Sequence, residues 1–162
     1  MCSRIIRLET VILSVRGCVE EAIDIGGRVL VVFDGHCGLC NGTVRWLLRR
    51  DRRDRLRFVA MESAKVEGML ARLGMSGMRL ETMLVVREAG GAQERALMRS
   101  DAVVALLKEL PRPWPWVGAA LGMVPRAVRD GGYRLVARWR YRIWGKLESC
   151  PVPTAEERER FL

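Results

Sequence analysis

The chain of 162 residues carries 28 Lys and Arg against 19 Asp and Glu, giving a net charge of +9, with a single histidine and five cysteines. Its length suits one domain, its apolar share is ordinary for a globular protein, and no run approaches the roughly 20 apolar residues of a membrane-spanning helix. Arg4, Arg7, Glu9 and Arg16 interrupt the N-terminal apolar positions, so the segment lacks the h-region of a secretory signal and the expected location is the cytosol.

Residues 1–28 hold Cys2 and Cys18, show no clear period, and read as an N-terminal extension. Gly26-Gly27 breaks the chain before Val29–Phe33, whose β-branched residues predict a buried strand, and Asp34-Gly35 then turns it. Val44, Leu47 and Leu48 recur at helical spacing with Arg45, Arg49, Arg52 and Arg53 outward, so a helix begins at or beside Cys37 and Cys40. Leu56–Ala60 is the second strand. A helix from about Ser63 to Leu73 follows, with Gly74 as its stop.

Thr82–Arg87 and Glu94–Met98 read as strands of an antiparallel hairpin joined through Ala89-Gly90-Gly91-Ala92. Ser100 is placed to cap a helix with the apolar stripe Val103, Val104, Leu106, Leu107 and Leu110, ended by Pro111. The alternate prolines of Pro111–Trp116 predict a rigid connector. In the helical stretch beyond it, Arg134, Arg138 and Arg142 share one face, while Val128, Leu135, Trp139, Ile143 and Leu147 follow another that is expected to meet the core. After the stiff Pro151-Val152-Pro153, Thr154 and Glu157 fit a capping box opening a short helix to Phe161. The order β-α-β-α-β-β-α is that of an α/β domain: an extension over 1–28, a core over 29–110, and a basic helical part of the same domain over 111–162.

Chemistry concentrates at Cys37-Gly38-Leu39-Cys40. Reducing conditions disfavour permanent bridges, so a close cytosolic cysteine pair is catalytic, redox-sensing or metal-binding. At a helix N-terminus the unpaired amides and the dipole favour a thiolate, and a cysteine pKa of about 8.5 falls to roughly 3.5–7.5 in such settings. Cys37 is therefore expected to attack, and Cys40, one turn on, to resolve the mixed disulfide.

Asp34 has two readings of equal standing, a proton relay for Cys40 or a turn and cap residue. His36 is either an auxiliary that favours the Cys37 thiolate or an exposed turn residue. Cys150 is either a third thiol held near the pair by the prolines after it, or a structural cysteine. Cys2 and Cys18 read as ordinary small residues.

The stretch Asp34-Gly35-His36-Cys37-Gly38-Leu39-Cys40-Asn41 resembles the signature of the DCC family of predicted thiol-disulfide oxidoreductases. Arg50-Asp51-Arg52-Arg53, Arg99-Ser100-Asp101-Ala102, Val124-Pro125, Arg140-Tyr141-Arg142 and Cys150-Pro151-Val152-Pro153-Thr154 are also similar to that family, so the likeness spans about residues 29–162. It implies a thioredoxin-like fold over the 29–110 core, a redox pair at Cys37 and Cys40, and a signature role for Asp34. One departure stands out: thioredoxin places a cis-proline opposite its C-x-x-C, whereas this chain has Leu80-Glu81-Thr82 there. Thioredoxin-like substrate binding is accordingly analogy alone.

The expected partners are a protein or small-molecule thiol or disulfide and an electron donor that the sequence does not name. Arg134, Arg138 and Arg142, with Trp114, Trp116, Tyr133, Tyr141 and Trp144 nearby, suit an anionic protein, membrane face or nucleic acid, or form a plain solvated face. Zinc is the main rival for the cysteines, yet a closed site usually takes a second pair at similar spacing and none occurs. No nucleic-acid motif, phosphate loop or Ser/His/Asp set accompanies the charge, so no cofactor or resident metal is expected.

Overall fold

A computed structural model describes residues 25–75, 83–89, 91, 93–147 and 153–162. Four strands, β1 (Val29–Phe33), β2 (Leu56–Ala60), β3 (Leu84–Arg87) and β4 (Arg95–Met98), form one mixed sheet in the order β2-β1-β3-β4. β1 runs parallel to β2, with Val31 opposite Phe58, and antiparallel to β3, with Val31 opposite Val85; β3 and β4 make the antiparallel hairpin. Among the described residues five α-helices join them: α1 (Gly38–Arg50), α2 (Ala64–Arg72), α3 (Arg99–Glu109), α4 (Trp114–Met123) and α5 (Arg126–Trp144). The arrangement is α/β and consistent with a thioredoxin-like fold.

The period-2 alternation of β1 divides the core. Val29, Val31 and Phe33 face the layer of α1 and α3, with Val44, Leu47, Ala102 and Leu106, while Leu30 and Val32 face α2 through Val66 and Met69. Both faces are buried, as a central strand rich in valine requires. Asp51 closes α1 and is itself buried. Its carboxylate accepts the amides of Arg55 at 3.0 Å and Leu56 at 2.9 Å, which fixes where β2 begins. Beyond the C-terminal 3₁₀ turn (Arg158–Arg160), Phe161 pairs in parallel with Phe58 and the amide of Leu162 donates to the Phe58 carbonyl at 3.0 Å, so the chain end covers the β2 edge.

The predicted strands and helices of the core recur within a residue or two, and the Thr154–Glu157 capping box is present in both directions, at 2.9 and 3.3 Å. Residue 82 of the third predicted strand, residues 90 and 92 of the hairpin turn and Leu80-Glu81-Thr82 lie outside the described residues. Three expectations are corrected. Ser100 lies inside α3, which Met98 precedes as N-cap, and its hydroxyl bonds the Asp130 carboxylate of α5. Pro111–Trp116 is not a connector throughout, because α4 begins at Trp114, with a proline at the tolerated first-turn position. The stripe Val128, Leu135, Trp139 and Ile143 does not meet the core: all four side chains are exposed, since α5 turns a different face inward.

Candidate active site

β1 delivers the chain to the site and α1 receives it. Cys37 is the N-cap of α1, with extended backbone at φ −93° and ψ 118°, and its Sγ accepts the amide N–H of Cys40 at 3.4 Å. A thiol sulfur thus stands where a Ser or Asp oxygen caps other helices, facing otherwise unpaired amides. Asn41, also buried, clamps the turn to the helix, its Nδ2 donating to the carbonyls of Gly35 at 2.8 Å and Cys37 at 3.0 Å. Cys37 and Cys40 are both free thiols.

Their surroundings differ. Cys37 is 0% exposed, covered by the segment that leaves α5: Lys146 bridges it in antiparallel register, the Gly38 amide donates to Gly145 O at 3.4 Å, and the Leu147 amide donates to His36 O at 2.8 Å. The approach depends on glycine, because a Cβ at position 38 would sit 2.2 Å from the Trp144 carbonyl oxygen. Cys40, 7% exposed, lines a cavity whose wall does not include Cys37. Burial, then the hydrogen bond and charge coupling to Cys37, push the Cys40 thiol up to about 12, although Arg140 opposes the rise.

Asp34 Oδ1 accepts the His36 amide at 2.9 Å, closing the turn into the C-x-x-C. Its Oδ2 accepts the Tyr141 hydroxyl and lies 3.5 Å from Arg140 Nη2, which also donates to the Tyr141 oxygen at 3.0 Å. Arg140 is 8% exposed and sits near both thiols, giving the site a buried cation compensated by a carboxylate. Burial first, and then the bond to Asp34, raise the Tyr141 pKa.

His36 is half-exposed, with Nδ1 at 3.3 Å from Leu147 O and Nε2 at 3.9 Å from Glu62 Oε1. Sequence reasoning placed Asp34, Cys37 and Cys40 together and the structure does the same. It missed Arg140, Tyr141 and the covering segment, for which the only signal was the family likeness of Arg140-Tyr141-Arg142. Cys2, Cys18 and Cys150 lie outside the described residues.

A family model for the DCC1-like thiol-disulfide oxidoreductases matches residues 31–146, a span from β1 to the segment over Cys37. The uncharacterized protein YuxK of Bacillus subtilis is 30% identical over 138 residues, 85% of this chain and 96% of its own. A chloroplastic DCC family protein of Arabidopsis thaliana is 32% identical over 125 residues, 77% of this chain and 70% of its own. No solved structure matches the chain significantly. With the family match running through both cysteines, Asp34 and Arg140, the chain belongs to the DCC1-like thiol-disulfide oxidoreductase family.

Proposed function

We propose that the protein exchanges a dithiol for a disulfide, with Cys37 as the attacking thiol and Cys40 as the resolving one. The observation that carries this reading is the asymmetry of the pair: Cys37 Sγ takes the Cys40 N–H at the head of α1, whereas Cys40 is held protonated by its burial. The amide N–H aimed at Cys37 Sγ suits the attacking sulfur, and Cys40 has to give up its proton before it resolves the mixed disulfide. Asp34 accepts the proton of Cys40 as that thiol attacks the mixed disulfide, while Arg140 and Tyr141 fix the carboxylate in position. His36 is an auxiliary that tethers Leu147 over Cys37, and Cys150 is either a third thiol or a structural cysteine. The partners are a protein or small-molecule thiol or disulfide and an electron donor, and the setting is the cytosol.

Differential alkylation with mass spectrometry across a glutathione redox series, with and without a zinc chelator, tests the reading. A reversible two-electron Cys37–Cys40 transition, indifferent to the chelator, is expected. Thiols protected until the chelator is added would replace the enzyme with a metal-binding domain. A bridge involving Cys150 in the same maps would give that residue its auxiliary role.

A second reading concerns α5. Val128, Leu135, Trp139 and Ile143 form an exposed apolar stripe beside the exposed Arg134, Arg138 and Arg142, and the exposed Trp116 and Met123 of α4 extend the apolar surface. Pairing of two copies through this face would bring like charges together. An anionic bilayer surface satisfies both the arginines and the apolar stripe, as for helices lying in a membrane interface. Among the described residues no helix is long and apolar enough to cross a membrane, so the docking proposed is to one face.

A further inference from the structure

A cavity of about 410 Å³ lies between α1, α3, α4 and α5, with Cys40 in its wall. Met83, Val103, Leu107, Tyr133 and Ala137 give it a mainly apolar lining, and its volume falls within the range of small-molecule sites, about 300–1,000 Å³. Among the described residues the lining has two charged side chains, Arg129 and Arg140, and each has a carboxylate partner: Asp101 at 3.1 Å and Asp34 at 3.5 Å. The cavity therefore exerts no charge demand of its own, and a ligand bringing unpartnered charges would bear the cost of burying them. Cys37 does not reach it. Cys37 lies under the Gly145–Leu147 backbone, and Cys40, its hydrogen-bond neighbour, is the cysteine in the cavity wall.

We propose that this cavity binds a neutral, apolar, low-molecular-weight dithiol, and that electrons reach an oxidised Cys37–Cys40 pair from it through Cys40. The inference rests on the redox reading above. A thiolate of the bound dithiol attacks Cys40 Sγ; a ligand–Cys40 bond forms, the Cys37–Cys40 bond breaks, and its electron pair settles on Cys37 Sγ, where the Cys40 N–H receives it. The second ligand thiol, having lost its proton, then attacks the ligand sulfur of the mixed disulfide, and Cys40 leaves and takes up a proton. The dithiol ends as a cyclic disulfide; two electrons and one proton have passed to the protein, the proton at Cys40, while Cys37 remains a thiolate and the ligand's other proton goes to solvent. Ring closure of the ligand drives this last step, and Cys40, a poor leaving group because of its high pKa, takes up a proton as it departs.

The test follows reduction of the oxidised full-length protein by dihydrolipoamide, reduced glutathione and dithiothreitol, read by quenching and mass spectrometry. Dihydrolipoamide is neutral and apolar, glutathione is charged, and dithiothreitol is a small dithiol control. Two variants fill the cavity: Ala137→Phe, and Gly132→Phe, whose Cβ meets nothing within 4 Å and which replaces a helical glycine with a better helix former. Expected are saturable reduction by dihydrolipoamide in the wild type, at least about tenfold faster than by glutathione, and a loss on the order of tenfold in either variant with the dithiothreitol rate kept within about twofold. Dihydrolipoamide rates untouched by both variants, or matched by glutathione, would overturn the inference while leaving the redox pair standing. A Cys37–Cys40 bridge that dithiothreitol cannot cycle even in the wild type would remove the redox reading, and this inference with it.

Discussion

Replacing Gly38 with alanine separates the two roles that the covering segment can have. Gly38 is at the start of α1 in ordinary helical backbone, so on helix propensity alone alanine would stabilise, by up to about 0.5–1 kcal/mol. The structure reverses that sign. The new Cβ would sit 2.2 Å from Trp144 O and 3.2 Å from Trp144 C, well inside the roughly 3.5 Å at which carbon contacts become favourable. The obstructing atoms belong to backbone, which cannot swing aside as a side-chain tip can. The Gly145–Leu147 segment has to withdraw by about an ångström, endangering the Leu147 N–H to His36 O bond at 2.8 Å and the Gly38 N–H to Gly145 O bond at 3.4 Å. At about 1 kcal/mol net for each bond, and with the propensity gain set against them, the loss is about 1–2 kcal/mol. For a chain of this length that lowers Tm by roughly 2–8 °C. Weakening the cover by the same amount raises the uncovered population about 5- to 30-fold. Both quantities are measurable: thermal unfolding of the reduced protein, and the iodoacetamide alkylation rate of Cys37 in a Cys40→Ser background. A Gly38→Ala protein as stable as the parent, with Cys37 alkylated no faster, would refute the reasoning that this segment shields Cys37.

Four further outcomes are expected. Arg140→Met leaves Asp34 largely buried without its cation, and breaking such a pair costs about 3–5 kcal/mol, so Tm should fall by roughly 6–20 °C; a melt within a degree of the parent would place the charge in solvent after all. Asp34→Asn should slow resolution of a mixed disulfide trapped at Cys37 by about tenfold or more, and an unchanged rate from about pH 6 to 9 would remove the proton-relay role. Asp54 is held at about 2, against 3.8 ordinarily, chiefly by its hydrogen bonds to Arg57. A lowered carboxylate pKa contributes stability that is complete above the ordinary value and lost as pH falls toward 2, so Asp54→Asn should flatten the acid limb of the stability curve in that window, modestly because the group is partly exposed. Co-sedimentation with phosphatidylglycerol-containing vesicles, absent with phosphatidylcholine alone, should be lost when Leu135 and Trp139 are both replaced by glutamate; retention by that variant would return α5 to being a solvated basic helix.

The core was legible because its signals are local and periodic. Val29–Phe33, Leu56–Ala60 and the α1 apolar spacing each specify one element without reference to the rest of the chain, and the C-x-x-C falls at a junction that two such elements define. Asp34 was equally visible, since an Asp-Gly turn has only a few residues within reach. What escaped was long-range. The partners of Asp34 come from α5, 107 positions away at Tyr141, and Cys37 is covered from Lys146, residues whose local sequence says nothing of where the chain will return. Ser100 was misread for the same reason: next to a predicted helix start it reads as a cap, but its hydroxyl is taken by Asp130 of α5.

The inversion of α5 has a physical cause that its sequence does contain. At about 100° per residue, Arg129 and Tyr133 lie within about 20° of the direction of Arg140, whereas Arg134, Arg138 and Arg142 lie about 120–160° away. Arg140 therefore breaks the i, i+4 row of arginines: it stands two positions from Arg138 and Arg142 and so faces the other side. A helix whose inward face carries Arg129, Tyr133, Ala137 and Arg140 cannot also turn in Val128, Leu135 and Trp139, and the apolar stripe is left outside. Assigning the apolar face to the core is sound when burial is the only use for a face. Here the inward face is taken by two cations that reach buried or half-buried carboxylates, Asp101 and Asp34, and by the residues that wall the Cys40 cavity. An arginine out of register with its neighbours on an amphipathic helix is the feature that separates a site-facing side from a core-facing one.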